Sequence, residues 1–445
     1  MSKKSIKKIQ DNDRTYNFLY HYVSFVLKLS YRSILQVGEE NIPKDGAIIF
    51  APNHTNTLMD ALVVLTMDDK PKVFVARADI FKNRKLAKIL TFLKIMPIMR
   101  QRDGFQAVKK NQETIDKAVD VLKDKIPFCI FPEGTHLAKF SSLPLSKGIF
   151  KIAFQAHEQM PQVPLYIVPV GIRYGNHFRF RSTIRMEFGK PINVGEYLAE
   201  NAHLTPQEQT NGMKNLLTER LHATLFRIPN DENYDATYEV CNAVEPLEIE
   251  ELRNKKENRN KHSLEVQFQA NNNTLKRIEE LKESNPDQVQ KLLELGDKAN
   301  RLRKKKGISV ESASVKKPLT SRMTRTLLTL IILPYTIPAS VLASPIALIC
   351  KYIFTMLKDP AFKNSVRYVM NLFVWPLFVM IYAIIALCLL PWQWTLLAIL
   401  LIMPAPYVAH ELWKSVRLVV SDIRLLKEKK LRKIYSQIRE IVIGK

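Results

Sequence analysis

The chain has 445 residues, enough for two to three domains at about 150 residues each. Lys and Arg number 67 against 43 Asp and Glu, a formal net charge of +24. Such a surplus points to anionic partners: nucleic acid, acidic lipid or a phosphorylated substrate. Nucleic acid is set aside, because the C-terminal third holds long apolar stretches and the basic patches lack interleaved aromatics on any recognisable module. The four cysteines, Cys129, Cys241, Cys350 and Cys388, form no CxxC pair, and two sit in apolar segments. They read as small buried hydrophobes in a reducing compartment, not as a disulfide framework or a zinc site.

The start is basic, but His21 and Lys28 interrupt the apolar residues 16–29, so a removed signal peptide is not expected. Residues 15–36 read as an amphipathic helix that packs on the domain or lies in a membrane interface. The turn Pro43-Lys44-Asp45-Gly46 precedes an apolar strand at 47–51. Further strands are expected at 73–76, 128–131 and 165–170, with helical patterns at 58–66, 82–94, 106–123 and 146–158. Turn clusters fall at 101–104 and 175–177. Short apolar strands alternating with helices indicate an α/β layered domain over residues 1–240.

Residues 241–320 are charged and poor in aromatics, and read as a solvated linker of helical character with a flexible joint at 309–317. Residues 321–412 are the expected membrane region. The stretch 326–350 is broken by Pro334, Pro338 and Pro345 and flanked by Arg322, Arg325, Lys351 and Lys358. That pattern suits a re-entrant or interfacial hairpin. The stretch 368–410 contains no Asp, Glu, Lys or Arg, and is long enough for two crossings at about 20 residues each; one crossing for each of the two stretches is the alternative. The positive-inside bias puts the flanking basic residues, and with them the preceding domain, on the cytoplasmic face. Residues 413–445 form a basic amphipathic tail suited to an anionic leaflet, with a helix packed on protein as the alternative.

Short polar blocks interrupt the apolar strands. In Asn53-His54-Thr55-Asn56-Thr57-Leu58-Met59-Asp60, a strand ends and a helix is expected to begin near Asn56 or Thr57. Asp60 in the first turn would reach back to His54, fix its tautomer and leave the other ring nitrogen basic. A loop histidine beside an exposed aspartate is the plain alternative. Arg100 closes the Met96-Pro97-Ile98-Met99-Arg100 block, where a guanidinium can hold phosphate bidentately. In Phe131-Pro132-Glu133-Gly134-Thr135, Gly134 permits positive φ and exposed backbone N–H groups, and Glu133 can accept from an acceptor hydroxyl. Lys147, in Leu143-Pro144-Leu145-Ser146-Lys147-Gly148, is a further phosphate candidate. The last block, Val163-Pro164-Leu165-Tyr166-Ile167-Val168-Pro169-Val170, reads as core or pocket wall.

The order NHTNTLMD, IMR, FPEGT, VPLYIVPV, over roughly residues 30–230, resembles the phospholipid and glycerol acyltransferase family. The resemblance implies a layered glycerophosphate-acyltransferase-like domain with a mixed sheet, followed by charged helices and a helical membrane region. It implies an acyl thioester donor, acyl-CoA or acyl carrier protein, with no further cofactor and no metal. His54 is implied as general base and Asp60 as its partner. Arg100, Glu133 and Gly134 fall on acceptor-binding positions, with Thr135 in the same block. The expected function is O-acyl transfer to glycerol-3-phosphate or 1-acylglycerol-3-phosphate at a membrane, with anionic lipids as partners. A lysophospholipid remodelling enzyme and a non-catalytic membrane scaffold are the alternatives; intact His54, Asp60 and FPEGT speak against the scaffold. One departure stands out: five residues separate His54 from Asp60 where most of the family has four, and Met59 occupies the more usual Asp position. The fungal-type glycerol-3-phosphate and dihydroxyacetone-phosphate acyltransferases look similar in this respect and in the LPLSKG block.

Overall fold

The computed structural model describes residues 8–11, 13–99, 111–313 and 319–444. Its residues divide into two compact units. The first comprises Met1–Leu225 and Leu357–Tyr368, and the second Phe226–Met356 and Val369–Lys445. This division runs at different positions from the sequence-based one at residue 240, and it returns a short downstream segment to the first unit.

The first unit is built on strands β1 (Ser33–Val37), β2 (Ala47–Pro52), β3 (Val73–Arg77), β4 (Ile95–Ile98), β5 (Phe128–Cys129), β6 (Leu165–Tyr174), β7 (Thr183–Phe188) and β8 (Ile192–Asn193). The sheet order is β1-β7-β6-β2-β5-β3-β4, with β8 also on β6. The sheet is mixed, as the resemblance implied: β6 pairs antiparallel with β7 and β8, and the other pairings are parallel. Strand β2 lies between β6 and β5 and is apolar along its whole length. Ile49 and Phe50 point to opposite faces and both are buried, as befits a sheet covered on both sides.

Helix α1 (Arg14–Ser30) is capped by Asp13, whose carboxylate accepts from the Thr15 and Tyr16 amides. It buries Tyr16, Tyr20, Val26 and Leu27 and leaves Phe18 and Phe25 exposed. The helix expected over 15–36 therefore ends early. Residues 33–37 pair with β7 instead, because a parallel edge partner satisfies their backbone groups. Helices α2 (Leu58–Leu65), α3 (Arg84–Phe92), α4 (Asn111–Lys123) and α5 (Gly148–Gln159) follow the 3.6-residue patterns seen in the sequence. Then come α6 (Val194–Glu200) and α7 (Pro206–Ala223), the latter opened by a Thr205–Glu208 capping box. Val119, Leu122, Ile149, Ile152, Leu217 and Leu221 from α4, α5 and α7 pack with Ile49, Phe128 and Ile167 in one core. Gly171 in β6 is required by close approach, since a Cβ there would meet the Thr224 Oγ1 at 2.3 Å.

The second unit is helical. Helices α8 (Tyr234–Asn254), α9 (Ser263–Ser284) and α10 (Pro286–Lys305) were expected as a solvated linker. They instead share a core with α17 (Lys429–Ile443), through Val240, Val244, Leu292, Leu431, Tyr435 and Ile438. The basic tail is thus a helix packed on protein. At the centre of the bundle Arg303 forks onto Glu239 at 2.7 and 2.8 Å, and the Tyr435 hydroxyl donates to the same carboxylate at 2.5 Å.

Between these helices lie α11 (Leu319–Ile331), α12 (Leu333–Leu342), α13 (Ser344–Met356), α14 (Phe362–Leu389), α15 (Trp392–Ile402) and α16 (Ala405–Lys427). Among the described residues, α14 alone is long and apolar enough to cross a membrane by itself. Two further crossings are available if the pairs α12–α13, bent by 58°, and α15–α16, bent by 46°, each count as one span. Pro345 and Pro404 sit at the two breaks, where a missing N–H and a fixed φ interrupt the helix. The first bent pair overlaps the proline-broken stretch 326–350.

Candidate active site

Two loops leave neighbouring parallel strands at their C-terminal ends, the usual position for ligand sites in open α/β sheets. One follows β2 and carries Asn53 to Thr57; the other follows β5 and carries Phe131 to Thr135. Asn53 anchors the first loop: its side chain donates to the Ile172 carbonyl at 3.1 Å and accepts from the Ile172 amide at 2.7 Å. The main chain links the two loops, with the Leu137 amide donating to the His54 carbonyl at 3.0 Å.

Asp60, in the first turn of α2, is completely buried. Its carboxylate accepts from the His54 Nδ1 at 2.8 Å, the Thr55 amide at 2.8 Å, the Asn56 amide at 2.7 Å and the Tyr174 hydroxyl at 2.8 Å. Four donors and a helix N-terminus hold the carboxylate in place. Burial, and then the Asp60 charge, push the Tyr174 phenol well above its usual range, so it stays protonated and donates. With Nδ1 committed to Asp60, the lone pair of His54 lies on Nε2, which meets no hydrogen-bonding partner among the described residues. The ring is 19% exposed. It stacks on Phe131 at 4.4 Å and meets the edge of His136 at 5.7 Å.

Five residues separate His54 from Asp60. Thr57 takes φ 50° and ψ −123°, a strained setting for a β-branched residue, and the His54–Asp60 contact is kept.

Glu133 is buried beside this cluster, and neither carboxyl oxygen has a partner at normal hydrogen-bond geometry. Burial above all, and the nearby Asp60 charge, push its pKa up to about 8, against a smaller opposing pull from the His54 and Leu143 amides. The shift favours the neutral carboxyl near pH 7. Gly134 takes φ +66° in the turn closed by its own amide on the Phe131 carbonyl at 3.1 Å, and Thr135 beside it is exposed. The hydroxyl of Thr55 and the side-chain carboxamide of Asn56 are also buried without a protein partner among the described residues. A cluster of orphaned buried polar groups beside a basic imidazole is what a polar substrate would complete.

The profile of the acyltransferase family matches residues 33–173. Residues 33–173 are thus similar to an acyltransferase domain. Over 158 residues the chain is 25% identical to glycerol-3-phosphate O-acyltransferase 2 of Saccharomyces cerevisiae, covering 35% of this chain and 21% of the yeast protein. Over 176 residues it is 25% identical to a probable 1-acyl-sn-glycerol-3-phosphate acyltransferase of Mycoplasma pneumoniae, covering 38% of this chain and 62% of the relative. The chain thus spans less than two thirds of the length of either protein. Among solved structures it is similar to the 1-acyl-sn-glycerophosphate acyltransferase PlsC of Thermotoga maritima, at 20% identity and a TM-score of 0.35, over 48% of this chain and 82% of that one.

Within the matched residues 33–173, His54, Glu133, Gly134 and Thr135 stand on the two adjoining loops, and Asp60 in the first turn of α2 beside them. Arg100 lies outside the described residues, as do residues 101–104 and the first part of the helical pattern at 106–123. Strand β4, which ends at Ile98, runs parallel to β3 in the same sheet. Lys147 is exposed at the start of α5 and lines a surface cleft with Gln112, Lys151 and Gln155. Its block is tied to the FPEGT loop by the Ser146 amide on the Pro132 carbonyl at 2.7 Å. Sequence reasoning missed Asn53, Tyr174 and His136. Asn53 lies inside, and His136 next to, a block already singled out, whereas Tyr174 reaches Asp60 only through the fold of the sheet.

Proposed function

We propose that this protein transfers a fatty acyl group from an acyl thioester to a hydroxyl of a glycerol phosphate, at a membrane. The observation that carries this reading is the 2.8 Å His54 Nδ1–Asp60 contact, which leaves Nε2 basic and partly open beside the FPEGT loop. The acceptor hydroxyl loses its proton to His54 Nε2 as its oxygen attacks the thioester carbonyl. The tetrahedral intermediate then collapses, an ester bond replaces the thioester, and the leaving sulfur takes the proton from His54 and departs as the thiol, restoring the neutral base. General-base assistance of this kind contributes about 10²–10⁴-fold.

The neutral Glu133 carboxyl can both donate to and accept from the acceptor, and Gly134 and Thr135 border the same space. Arg100 and Lys147 are assigned to the acceptor phosphate. The names of the yeast and Mycoplasma relatives support glycerol-3-phosphate and 1-acylglycerol-3-phosphate as acceptors. Acyl-CoA or acyl carrier protein supplies the thioester. The apolar α14 supports an integral membrane location, and the basic flanks of the apolar segments favour the cytoplasmic face for the acyltransferase domain.

The test is a substrate panel on purified protein: glycerol-3-phosphate, dihydroxyacetone phosphate, 1-acylglycerol-3-phosphate and lysophospholipids, each with acyl-CoA and acyl carrier protein. His54→Ala should abolish turnover while leaving the fold intact, and Arg100→Ala should chiefly raise the acceptor KM. Normal transfer by His54→Ala would defeat the mechanism. Transfer to headgroup-bearing lysophospholipids alone would move the enzyme to the remodelling class.

A further inference from the structure

The segment 357–368 lies far downstream of every motif block, at the entry to α14, yet it belongs to the first unit. Its docking there is specific. The Thr57 and Ser365 hydroxyls are hydrogen-bonded at 2.8 Å, the Asn364 side chain donates to the His177 carbonyl at 2.6 Å, and the Tyr368 hydroxyl donates to the Val23 carbonyl at 2.9 Å. Asn364, Ser365 and Tyr368 are buried. The contact nearest the chemistry is made by Asp359, whose carboxylate lies 2.7 Å from the Nε2 of His136. Phe362 meets the same imidazole edge-on at 5.6 Å. His136 in turn borders the ring of His54, which also stacks on Phe131. The ring of the base therefore adjoins both Phe131 and an imidazole that is hydrogen-bonded from the downstream segment.

We propose that Asp359 is a positioning residue for acyl transfer, acting through His136 to hold His54 in its productive orientation. The segment leading into α14 thereby forms a wall of the site. The proposal rests on the reading of His54 as general base. Asp60 fixes the Nδ1 end of that ring, whereas His136 limits its swing, and small displacements of a reacting group cost up to about 10²-fold in rate.

The test uses the full chain with kcat and KM measured separately. Asp359→Ala should lower kcat by about ten- to a hundredfold while leaving the acceptor KM nearly unchanged. Asp359→Asn still accepts from the His136 Nε2–H and should recover most of the loss. In a His136→Ala background, Asp359→Ala should cost nothing further, because both changes cut one linkage. Wild-type kcat in Asp359→Ala, failure of Asp359→Asn to rescue, or an undiminished loss in the His136→Ala background would each overturn the proposal. His54→Ala serves as the separate control. If it turns over normally, the base reading fails whatever the Asp359 variants do; if it is inactive while Asp359→Ala is normal, the positioning role alone fails.

Discussion

The Tyr174 hydroxyl donates to the Oδ1 of Asp60 at 2.8 Å, across 114 residues of chain. The other carboxylate oxygen serves His54 and two backbone amides, so Tyr174 occupies the remaining side of a fully buried charge. Tyr174→Phe removes that donor without changing the volume much. Hydrogen bonds to charged groups are worth about 1.5–3 kcal/mol, and denaturant unfolding should show a loss in that range with a lowered kcat. Unchanged stability would mean that the backbone donors alone satisfy Asp60.

Asp60→Asn keeps the shape and most hydrogen bonds but removes the charge that stabilises a protonated His54. The expected loss in kcat is about 10²-fold or more, with acceptor KM little changed. Near-normal kcat would show that the imidazole needs no carboxylate partner.

Glu133 gives the site a pH signature in stability. Its folded pKa, about 8, stands above the ordinary 4.5. Below pH 4.5 both states are protonated. Between 4.5 and 8 the unfolded chain gives up the proton and the folded protein keeps it, so stability falls by about 1.4 kcal/mol per pH unit and levels off above. Glu133→Gln cannot ionise. Its melting temperature should match the wild type near pH 5 and exceed it increasingly toward pH 8.5. A constant difference across that range would place the Glu133 pKa near its ordinary value.

In the helical unit, Arg303 and Glu239 are both buried and bonded to each other. Arg303→Met strands a buried carboxylate and should cost about 3–5 kcal/mol in thermal or denaturant unfolding. Replacing the whole cluster, as Arg303→Met with Glu239→Leu and Tyr435→Phe, should recover much of that. If the triple variant is the least stable of all, the ion pair is a net source of stability.

The sequence alone determined the elements whose signal is local. Apolar runs located β2, β3 and β6, helical spacing located α2, α3 and α5, and the two polar blocks located His54, Asp60 and Glu133. It also fixed the apolar content of α14, because burial in lipid or protein leaves the same compositional mark. Only the tertiary structure decided what depends on pairing at long range. Residues 33–37 became a strand through β7, and the charged stretch after residue 240 became a packed bundle with the C-terminal helix. Tyr174 and Asp359 reached the site from positions 114 and 305 residues away from Asp60 and His54. No local pattern encodes such contacts. They arise when the sheet and the helix entries bring distant side chains within hydrogen-bond range, and folding free energy, summed over the whole chain, selects them.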